Sequence, residues 1–575
     1  MSGQTVSLVM AGSGGAGVVT AGSLLLEAAA RAGWYAYMTR SSGPQIRGGE
    51  AAVMLRLGTE PIASHDDCFH LLVGVDWQNV GRFAAEIPLG PQSLIIGDPG
   101  EGETPEVFTR SGAQQIALPM KALAKKIPDG RPNMVAFGAI AALIGLTEDV
   151  VVGVLRDTLK RKGEEAIAAS LAAFRAGVEA AADFPAVPRL PAGKADTSER
   201  WSITGNEATG MGALRGGVRF VAAYPITPAT EVLEWLAPAL PKVGGVLVQA
   251  EDELASINQI IGGSYGGVPS LTATSGPGLA LMTESLGLAV AAEVPIVVID
   301  VMRVGPSTGI ATKSEQADLN IAVYGLHGDA PHLVLAPTSV ADCLFTTQWA
   351  VHLAESLQTA AIVLTDQAMG QARAVMPRAA AVSFIGQRER PAALAEGVQY
   401  KRYANTASGV SPMAIPGMAG FMYTADGLEH NETGTPSSQA SDHQAQLDKR
   451  LRKLTGYNYG DHWADITGDE DADTAILTWG SSAGPAREAL ARLRAAGHRV
   501  KLVAVRLISP VQPEKFAAAL EGVERVLVVE QSHSGQFHRY LRAQYDLPRQ
   551  VRALHHPGPL PVRPGAIVEH ITQWS

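Results

Sequence analysis

Four groups of polar side chains each follow an apolar run in the middle of the chain, and together they could hold an anion beside a carboxyl group. Thr227 follows "VAAYPI", the carboxyls of "EDE" (251–253) follow "VLVQA", and Arg303 follows "VPIVVIDVM". The fourth group is the loop "TSGPG" (274–278), whose glycines let the backbone approach a ligand closely. Because a guanidinium binds carboxylates through paired hydrogen bonds, the sequence predicts a site for an anionic ligand.

Each of these groups stands at the end of a predicted strand. Apolar runs that end in glycine, proline or charged residues recur at 217–225, 245–253, 270–278 and 294–303, and runs at 333–339 and 360–366 extend the same domain. In a parallel sheet the carboxyl ends of the strands lie at one edge, where open α/β folds bind their ligands. We therefore expect the four groups to converge at that edge.

Thr227 and Pro228 have the pattern of a helix start. Proline disfavours helical conformation in the residue before it and is favourable at the first helical position, which predicts Thr227 as the N-cap and Pro228 as N1. Thr227 would then lie at the positive end of a helix, where anions bind. Taken singly, the four groups could also be a helix cap, first-turn carboxylates, a tight turn and a structural ion pair. Their convergence favours a functional site.

The chain as a whole is predicted to be a multidomain α/β protein. An apolar run, the glycine loop "GSGGAG" (12–17) and a helical pattern open the sequence, and a proline-rich, charged stretch follows the first domain. The predicted division is an N-terminal α/β domain (1–183), a linker (184–200), a central α/β domain (201–384), an irregular connector (385–472) and a C-terminal α/β domain (473–575).

Composition and charge narrow the class of protein. The net charge of -10 over 575 residues is spread without a basic block, so a nucleic-acid partner is not expected. The start of the chain lacks the features of a signal peptide, and no uninterrupted apolar stretch is long enough to span a membrane, so we expect a cytoplasmic protein. Cys68 and Cys343 are too few for a disulfide framework or a Cys-ligated iron–sulfur cluster.

Six motifs of the central region form a specific set: "GNEATGMGA" (205–213), "YPITPATE" (224–231), "QAEDELAS" (249–256), "TATSGPGLALMTE" (272–284), "RVGPSTGIATKSEQADL" (303–319) and "HGDAP" (327–331). In this order they resemble the α subunit of 2-oxoacid:ferredoxin oxidoreductases. These are thiamine diphosphate enzymes that join CoA to a decarboxylated 2-oxoacid and pass electrons to ferredoxin. The resemblance implies that the central domain is the pyrimidine-binding type of thiamine diphosphate domain.

The resemblance covers nearly the whole chain. The first domain resembles the family's γ domain through "GSGGAG" and "SSGPQIRGGEAAVMLRL" (41–57), and the last resembles the transketolase C-terminal domain. The arrangement is most similar to the two-subunit 2-oxoglutarate:ferredoxin oxidoreductases. The implied reaction interconverts 2-oxoglutarate and CoA with succinyl-CoA, carbon dioxide and reduced ferredoxin.

The resemblance also implies roles for individual residues. Glu253 would hold N1′ of the cofactor's aminopyrimidine ring, with Glu251 as the alternative. Thr227 and Arg303 would bind the 2-oxoacid carboxylate, and Lys313 is the candidate for the distal carboxylate of 2-oxoglutarate. Further cofactor contacts are expected from Tyr224, Pro225, Ile226, Ser275 and Gly276, and contacts with CoA phosphates from Gly12, Gly14, Gly15 and Arg47, unless these four only pack the γ domain.

Two features of the family are missing from this sequence. It has no Gly-Asp-Gly motif, from which the family ligates the Mg²⁺ that holds the diphosphate, and no set of cluster cysteines. The resemblance therefore implies an obligate β subunit that supplies the diphosphate site, the Mg²⁺ and a 4Fe-4S cluster. It implies a dimer of αβ units that reduces ferredoxin, and no metal bound by this chain itself.

Three alternatives stay open. The substrate could be pyruvate or a branched-chain 2-oxoacid, and either direction of the reaction fits the sequence. Gly12, Gly14 and Gly17 match the dinucleotide pattern G-x-G-x-x-G, and Arg40 would suit the 2′-phosphate of NADP, although the acid expected about 20 residues on is absent. The third alternative is a non-catalytic regulatory subunit on a thiamine fold, against which the intact site residues argue.

Overall fold

The computed structural model describes residues 5–43, 49–193 and 199–574. Its strands are β1 (Thr5–Gly12), β2 (Tyr35–Ser42), β3 (Ala51–Gly58), β4 (Leu71–Gly74), β5 (Leu94–Gly97), β6 (Gln114–Ala117), β7 (Arg200–Thr204), β8 (Phe220–Ala223), β9 (Val246–Gln249), β10 (Ser270–Thr274), β11 (Ile296–Met302), β12 (Leu333–Leu335), β13 (Ala360–Asp366), β14 (Arg373–Pro377), β15 (Ala464–Gly468), β16 (Thr474–Trp479), β17 (Val500–Val505), β18 (Leu507–Ser509), β19 (Arg525–Glu530) and β20 (Gln550–His555).

The helices are α1 (Val18–Arg31), α2 (Glu106–Thr109), α3 (Met120–Ala124), α4 (Pro132–Ile144), α5 (Glu148–Leu159), α6 (Glu164–Ala180), α7 (Gly205–Gly216), α8 (Thr230–Ala239), α9 (Glu253–Tyr265), α10 (Gly276–Ala291), α11 (Leu319–Tyr324), α12 (Val340–Leu357), α13 (Gln367–Gln371), α14 (Ala440–Thr455), α15 (Ala483–Ala495), α16 (Pro513–Ala519), α17 (Gln536–Gln544) and α18 (Pro564–Thr572). In the described ranges, no helix is both long enough and apolar enough to cross a membrane.

The chain divides into two compact units, of which the first consists of Met1–Thr204, Gln371–Arg378 and Arg563–Val568. Its sheet has eight strands in the order β6-β5-β4-β1-β3-β2-β14-β7. β1, β4, β5 and β6 pair in parallel, and the remaining neighbours are antiparallel. The predicted opening of strand, glycine loop and helix is confirmed, since α1 begins directly after the loop.

The second unit contains the central sheet, which has seven strands in the order β18-β12-β13-β11-β10-β8-β9. All neighbouring strands are parallel except β18, which is antiparallel to β12. β10, β11 and β13 are fully buried; apolar runs encode β11 and β13, whereas β10 (SLTAT) also buries hydroxyl side chains. The predicted parallel strands are confirmed, and their carboxyl ends share one edge.

A five-stranded sheet completes the second unit, in the order β15-β17-β16-β19-β20. Its strands are parallel apart from β15, which is antiparallel to β17. The predicted strand, turn, helix and strand between residues 474 and 510 are present as β16, α15 and β17. The domain boundaries at residues 183, 200, 384 and 472 stay predictions.

The expectation of an irregular connector over residues 385–472 is wrong for the later part of this segment, from residue 440 onward. The segment holds the 16-residue helix α14 as well as β15. Hydrophobic periodicity could not reveal α14, because the buried face of this helix is polar: Gln446, Lys449, Arg450 and Lys453 are buried together with Leu454.

The charges of α14 are compensated by one buried carboxylate. Glu293 is fully buried after α10, and its two oxygens accept hydrogen bonds from the ammonium groups of Lys449 at 2.5 Å and Lys453 at 3.0 Å. Arg402 donates to the Glu293 carbonyl at 2.8 Å. Burial alone would raise the pKa of Glu293, but the charges of Lys453, Lys449 and Arg402 outweigh burial and hold the pKa far below its ordinary value. This buried ion cluster fixes α14 to the central domain.

Replacing Glu293 with glutamine should destabilise the protein by about 3–5 kcal/mol, because two lysines are then buried without a countercharge. Denaturant unfolding followed by tryptophan fluorescence measures the change. The control is Glu106→Gln, since Glu106 and Arg110 form a pair whose side chains are 75% and 72% exposed. Such pairs contribute about 1 kcal/mol or less. Equal losses in the two variants would contradict the role of the buried ion cluster.

Candidate active site

The carboxyl edge of the central sheet brings Thr227 and Arg303 together. Arg303 follows β11, and its Nη1 donates to the carbonyl oxygen of Thr227 at 2.7 Å. Arg303 is 7% exposed, whereas Thr227 is half-buried. The hydrogen bond uses the threonine backbone, so the Thr227 hydroxyl and the rest of the guanidinium stay available to a ligand.

Arg303 is a buried cation without a carboxylate in direct contact among the described residues. Its Nε has no hydrogen-bond partner in that part of the chain. Burial lowers the pKa of the guanidinium, while the negative charges of Asp318 and Glu253 oppose this shift. An arginine remains charged under such conditions, so the site offers a desolvated positive charge to an incoming anion.

The helix start predicted at Pro228 is wrong by two residues. Residues 227–229 form a turn, and α8 begins at Thr230 with Ala229 as its N-cap. The carbonyl of Ile226 accepts hydrogen bonds from the N–H groups of Ala229 and Thr230, at 2.8 and 3.0 Å, which closes the turn before the helix. Thr227 is therefore held by a turn and not by a capping bond.

Asn206 is a site residue that the sequence analysis did not single out. It is fully buried near the start of α7, and its Nδ2 donates to the carbonyl of Pro228 at 3.0 Å and to Glu231 at 3.2 Å. The side chain thereby fixes the turn that carries Thr227. The sequence gives one indication of this role: Asn206 is a polar residue within the small-residue stretch "GNEATG", and a buried amide requires hydrogen-bond partners.

Glu253 and Glu251 differ sharply in exposure. Glu253 is the first residue of α9 and is 7% exposed, whereas Glu251 is exposed. Asp252 between them caps the helix, because its carboxylate accepts the N–H of Ala255 at 2.6 Å. The cap turns the Glu253 side chain away from solvent, and the assignment of a cofactor role to Glu253 rather than Glu251 stays a prediction.

The loop 274–278 and Glu253 lie against each other. A methyl group on Gly278 would stand 2.7 Å from Glu253 Cγ and 2.0 Å from Thr274 Oγ1. Only glycine leaves room for the glutamate at this position. Ser275 is the N-cap of α10, yet its buried hydroxyl has no hydrogen-bond partner among the described groups.

The other expected cofactor residues lie on two segments of the same edge. Tyr224, Pro225 and Ile226 follow β8, and Gly276 begins α10. Tyr224 is 40% exposed, while Ile226 packs on the core of the second unit. Their contacts with a cofactor stay a prediction.

Lys313 is brought close to Arg303 through the backbone. The segment after β11 folds back on itself, so that the N–H of Val304 donates to the Lys313 carbonyl at 3.0 Å and the N–H of Lys313 to Ile310 at 3.1 Å. The Lys313 side chain is half-buried. Its role toward a distal carboxylate stays a prediction.

The N-terminal glycine loop belongs to the first unit. Gly12 is buried, whereas Gly14 and Gly15 are exposed. The backbone N–H and the hydroxyl of Ser13 both donate to the carboxylate of Asp76, at 2.9 and 2.7 Å. An acid thus holds an N–H group that a dinucleotide phosphate would need, which weakens the NADP alternative. Arg47 lies outside the described residues.

Comparison with known proteins gives a consistent assignment. Three family models match the chain: "Pyruvate ferredoxin/flavodoxin oxidoreductase" over residues 7–180, "Pyruvate flavodoxin/ferredoxin oxidoreductase, thiamine diP-bdg" over 211–449, and "Pyruvate:ferredoxin oxidoreductase core domain II" over 472–555. The 2-oxoacid:ferredoxin oxidoreductase subunit alpha of a Sulfolobus species is 30% identical over 92% of this chain and 91% of its own length. The 2-oxoglutarate synthase subunit KorA of Methanothermobacter marburgensis is 33% identical, over 60% of this chain and 91% of its own.

A solved structure extends the similarity over the whole chain. The 2-oxoglutarate:ferredoxin oxidoreductase from Magnetococcus marinus, with 2-oxoglutarate, coenzyme A and succinyl-CoA bound, is 36% identical, covers 99% of both chains and superposes with a TM-score of 0.92. The chain belongs to the 2-oxoacid:ferredoxin oxidoreductases. The resemblance inferred from the sequence motifs and the predicted fold class are thereby confirmed.

The residues at the edge fit the thiamine diphosphate named by the matching family model. Ser275 Oγ and Arg303 Nε are buried polar atoms without a hydrogen-bond partner among the described residues. Glu253 adds a buried carboxyl at the same edge of the sheet. Such a set can bind a polar ring and an anionic substrate. In the described ranges, no three His, Cys, Asp or Glu side chains are grouped as metal ligands would be.

The sequence analysis also did not identify two acids and one amide of this region as site residues. Asp300 is fully buried within β11, and Asp318 precedes α11 with a buried Oδ2. Asp300 could have been noticed in the sequence as a carboxyl group inside the apolar run "IVVIDVM", because burying an unpaired charge costs free energy.

The amide is that of Gln316, which joins the segment carrying Asp318 to the five-stranded sheet. Its Nε2 donates to the carbonyl of Trp479 at 2.9 Å, and its Oε1 accepts from Ser482 and from the N–H of Gln531, both at 2.8 Å. The side chain is fully buried. It ties the strand ends of β16 and β19 to the site.

Gly278→Ala should reduce the free energy of unfolding by about 1–3 kcal/mol, because the added methyl overlaps Thr274 and Glu253. Gly287→Ala in the same helix is the control. Its methyl would meet only His327, at 3.7 Å, and alanine is better than glycine in a helix by about 0.5–1 kcal/mol. Thermal unfolding compares the two variants, and similar midpoints would contradict the packing of Glu253 against α10.

Proposed function

We propose that this chain is the α subunit of a 2-oxoglutarate:ferredoxin oxidoreductase. In this reaction 2-oxoglutarate and CoA give succinyl-CoA and carbon dioxide, and two electrons pass to ferredoxin; the same enzyme runs the reverse reaction when reduced ferredoxin is supplied. The observation that carries the proposal is the likeness, over 99% of the chain, to an enzyme with 2-oxoglutarate, coenzyme A and succinyl-CoA bound.

Arg303 and Thr227 are proposed to bind the carboxylate next to the 2-oxo group. The buried guanidinium has no directly bonded carboxylate of its own in the described structure, so a substrate carboxylate gains a charge-assisted hydrogen bond there without displacing a resident acid. The Thr227 hydroxyl adds a second donor. Lys313 is the proposed partner of the distal carboxylate, because its backbone pairing with Val304 keeps it beside this pocket.

Glu253 is proposed to hold the aminopyrimidine ring of thiamine diphosphate through a hydrogen bond to N1′. When bound, thiamine diphosphate would supply an acceptor for the electron pair that remains when carbon dioxide leaves the substrate. The carboxyl of Glu253 controls the proton on the ring and thereby its basicity. Tyr224, Pro225, Ile226, Ser275 and Gly276 would line the same pocket.

The remaining parts of the reaction are proposed to come from a partner. A β subunit would carry the diphosphate site, its Mg²⁺ and a 4Fe-4S cluster, because this sequence has neither the Gly-Asp-Gly motif nor the cysteines. We propose a dimer of αβ units that works in the cytoplasm and reduces ferredoxin. Contacts with CoA phosphates are proposed for Gly12, Gly14, Gly15 and Arg47.

The first test is to produce the chain alone and together with the product of the neighbouring reading frame. CoA-dependent viologen reduction is then assayed with 2-oxoglutarate, pyruvate and 2-oxoisovalerate. We expect activity only in the pair and the highest kcat/KM with 2-oxoglutarate. Preference for pyruvate would replace the substrate assignment, and activity of the lone chain would refute the division of the site between subunits.

Glu253→Gln in the assembled αβ enzyme should reduce kcat by about 10²-fold or more, because a glutamine amide cannot exchange a proton with the aminopyrimidine ring. Glu251→Gln is the matched control, because Glu251 is exposed two residues away. Its kcat should stay within about twofold of the unmodified enzyme, as expected for a surface site. Steady-state viologen reduction measures both, and the reverse ranking would transfer the cofactor role to Glu251.

A further inference from the structure

Asp300 and Asp318 form a buried carboxyl pair beside the proposed substrate pocket. Their side chains are within hydrogen-bonding distance of each other. Both Asp300 oxygens and Asp318 Oδ2 are buried and receive no hydrogen bond from an N–H or O–H donor of the described residues. Two adjacent carboxylates without donors repel each other, so at least one proton must reside between them.

The pair touches the elements that carry the site. Asp300 lies opposite Thr274 in the register of β10 and β11, and Arg303 follows it by three residues. Asp318 Oδ2 lies 2.5 Å from the position that a methyl group on Gly276 would occupy. The pair is thus packed between the loop 274–278 and the base of Arg303.

The charges that face this pair come from three further groups. Arg303 and Glu315 act on Asp318, and Glu253 acts on Arg303. The Glu315 side chain accepts the N–H groups of Gly305 and Gly558 at 3.4 and 3.2 Å, which hold it in place. Before substrate binds, one guanidinium therefore stabilises the negative charge of Asp318 as well as that of Glu253.

The protonation of the pair is set by a balance between burial and Arg303. Burial raises the pKa of Asp300 well above its ordinary value. Burial and the charge of Glu315 raise the pKa of Asp318 to about 6, although the Asp300 hydrogen bond and the Arg303 charge act in the opposite direction. Near neutral pH the pair accordingly holds one proton and carries one negative charge.

A substrate carboxylate at Arg303 changes this balance. It brings a second negative charge into a desolvated site and takes over the guanidinium that had stabilised Asp318. Both effects favour the protonated form of Asp318.

We propose that the Asp300–Asp318 pair takes up a proton when a 2-oxoacid carboxylate binds at Arg303, and so keeps the net charge of the closed pocket constant. The pair is a positioning element: it compensates charge and keeps Arg303 available, without contacting the reacting atoms. This inference rests on the proposed function, because it takes Arg303 as the carboxylate site.

The test measures protons directly, by titrating the assembled αβ enzyme with 2-hydroxyglutarate. This compound has both carboxylates of the substrate but lacks the reactive 2-oxo group. Calorimetry at about pH 7 in phosphate and in Tris, whose ionisation enthalpies differ, gives the number of protons bound. We expect an uptake of about 0.5 proton or more in the unmodified enzyme, because a loss of a nearby opposite charge shifts a carboxyl pKa by about one unit or more.

The same linkage fixes the sign of the pH dependence. Because binding takes up a proton, affinity is highest at low pH, and the inhibition constant of 2-hydroxyglutarate should rise at least about fivefold between about pH 6 and pH 8 and then level off. Asp318→Asn should abolish both the uptake and this rise. Asp300→Asn should retain both, because its amide can donate to Asp318 as the protonated Asp300 carboxyl does. Asp461→Asn, at an exposed position, should leave both unchanged.

Three results would overturn the inference: no proton uptake by the unmodified enzyme, uptake that persists in Asp318→Asn, or an inhibition constant independent of pH. Failure of the proposed substrate gives a different result. If 2-hydroxyglutarate does not bind while pyruvate is turned over, the 2-oxoglutarate assignment falls. Lactate then replaces it as the probe, because the pair lies beside the carboxylate that every 2-oxoacid has, and the same stoichiometry decides.

Discussion

Parallel pairing of β8, β9, β10, β11 and β13 obliges all five strands to end at one edge of the central sheet. Backbone hydrogen bonds fix this arrangement, so the residues that follow the strands meet although they are far apart in sequence. β8, β10, β11 and β13 are largely buried, so the strand ends are where polar groups can reach a ligand. The hydrogen bond from Arg303 to Thr227, the shielded Glu253 and the loop 274–278 all result from this one constraint.

Burial at this edge also determines the chemistry. A guanidinium near the end of a buried strand interacts strongly with any anion, because little water screens it. The same desolvation raises the pKa of Asp300 and of Asp318. Arg303, Glu253 and the Asp300–Asp318 pair therefore interact electrostatically, and a charged ligand at this edge affects all of them.

The sequence predicted those parts of the fold that follow from local pattern. Apolar runs with clear ends located the strands of the central sheet, and parallel pairing then predicted the convergence of Thr227, Glu253 and Arg303. The start of α8 was misplaced, because a turn closed by the Ile226 carbonyl precedes the helix. Helix α14 was missed because ionic and not apolar contacts bury it. The Asp300–Asp318 pair arises only when distant segments meet, and no spacing rule could predict it.

In the N-terminal glycine loop (12–17), packing explains one glycine, and other glycines occupy open positions. Gly17 has a left-handed backbone with φ of 75°, and a methyl there would meet Asn133 at 2.6 Å, so folding alone requires glycine. A methyl on Gly15 would meet nothing within 4 Å. The dinucleotide pattern is thus satisfied partly by packing, and the exposed Gly14 and Gly15 are the positions at which a ligand would matter.

Through the amide of Gln316, the proposed substrate pocket depends on residues that do not contact the substrate. Because its hydrogen bonds hold the ends of β16 and β19, the segment that ends in Asp318 is coupled to the packing of the C-terminal sheet. Substitutions in the five-stranded sheet can therefore alter the proposed substrate site, and directed evolution confined to pocket-lining positions would overlook them.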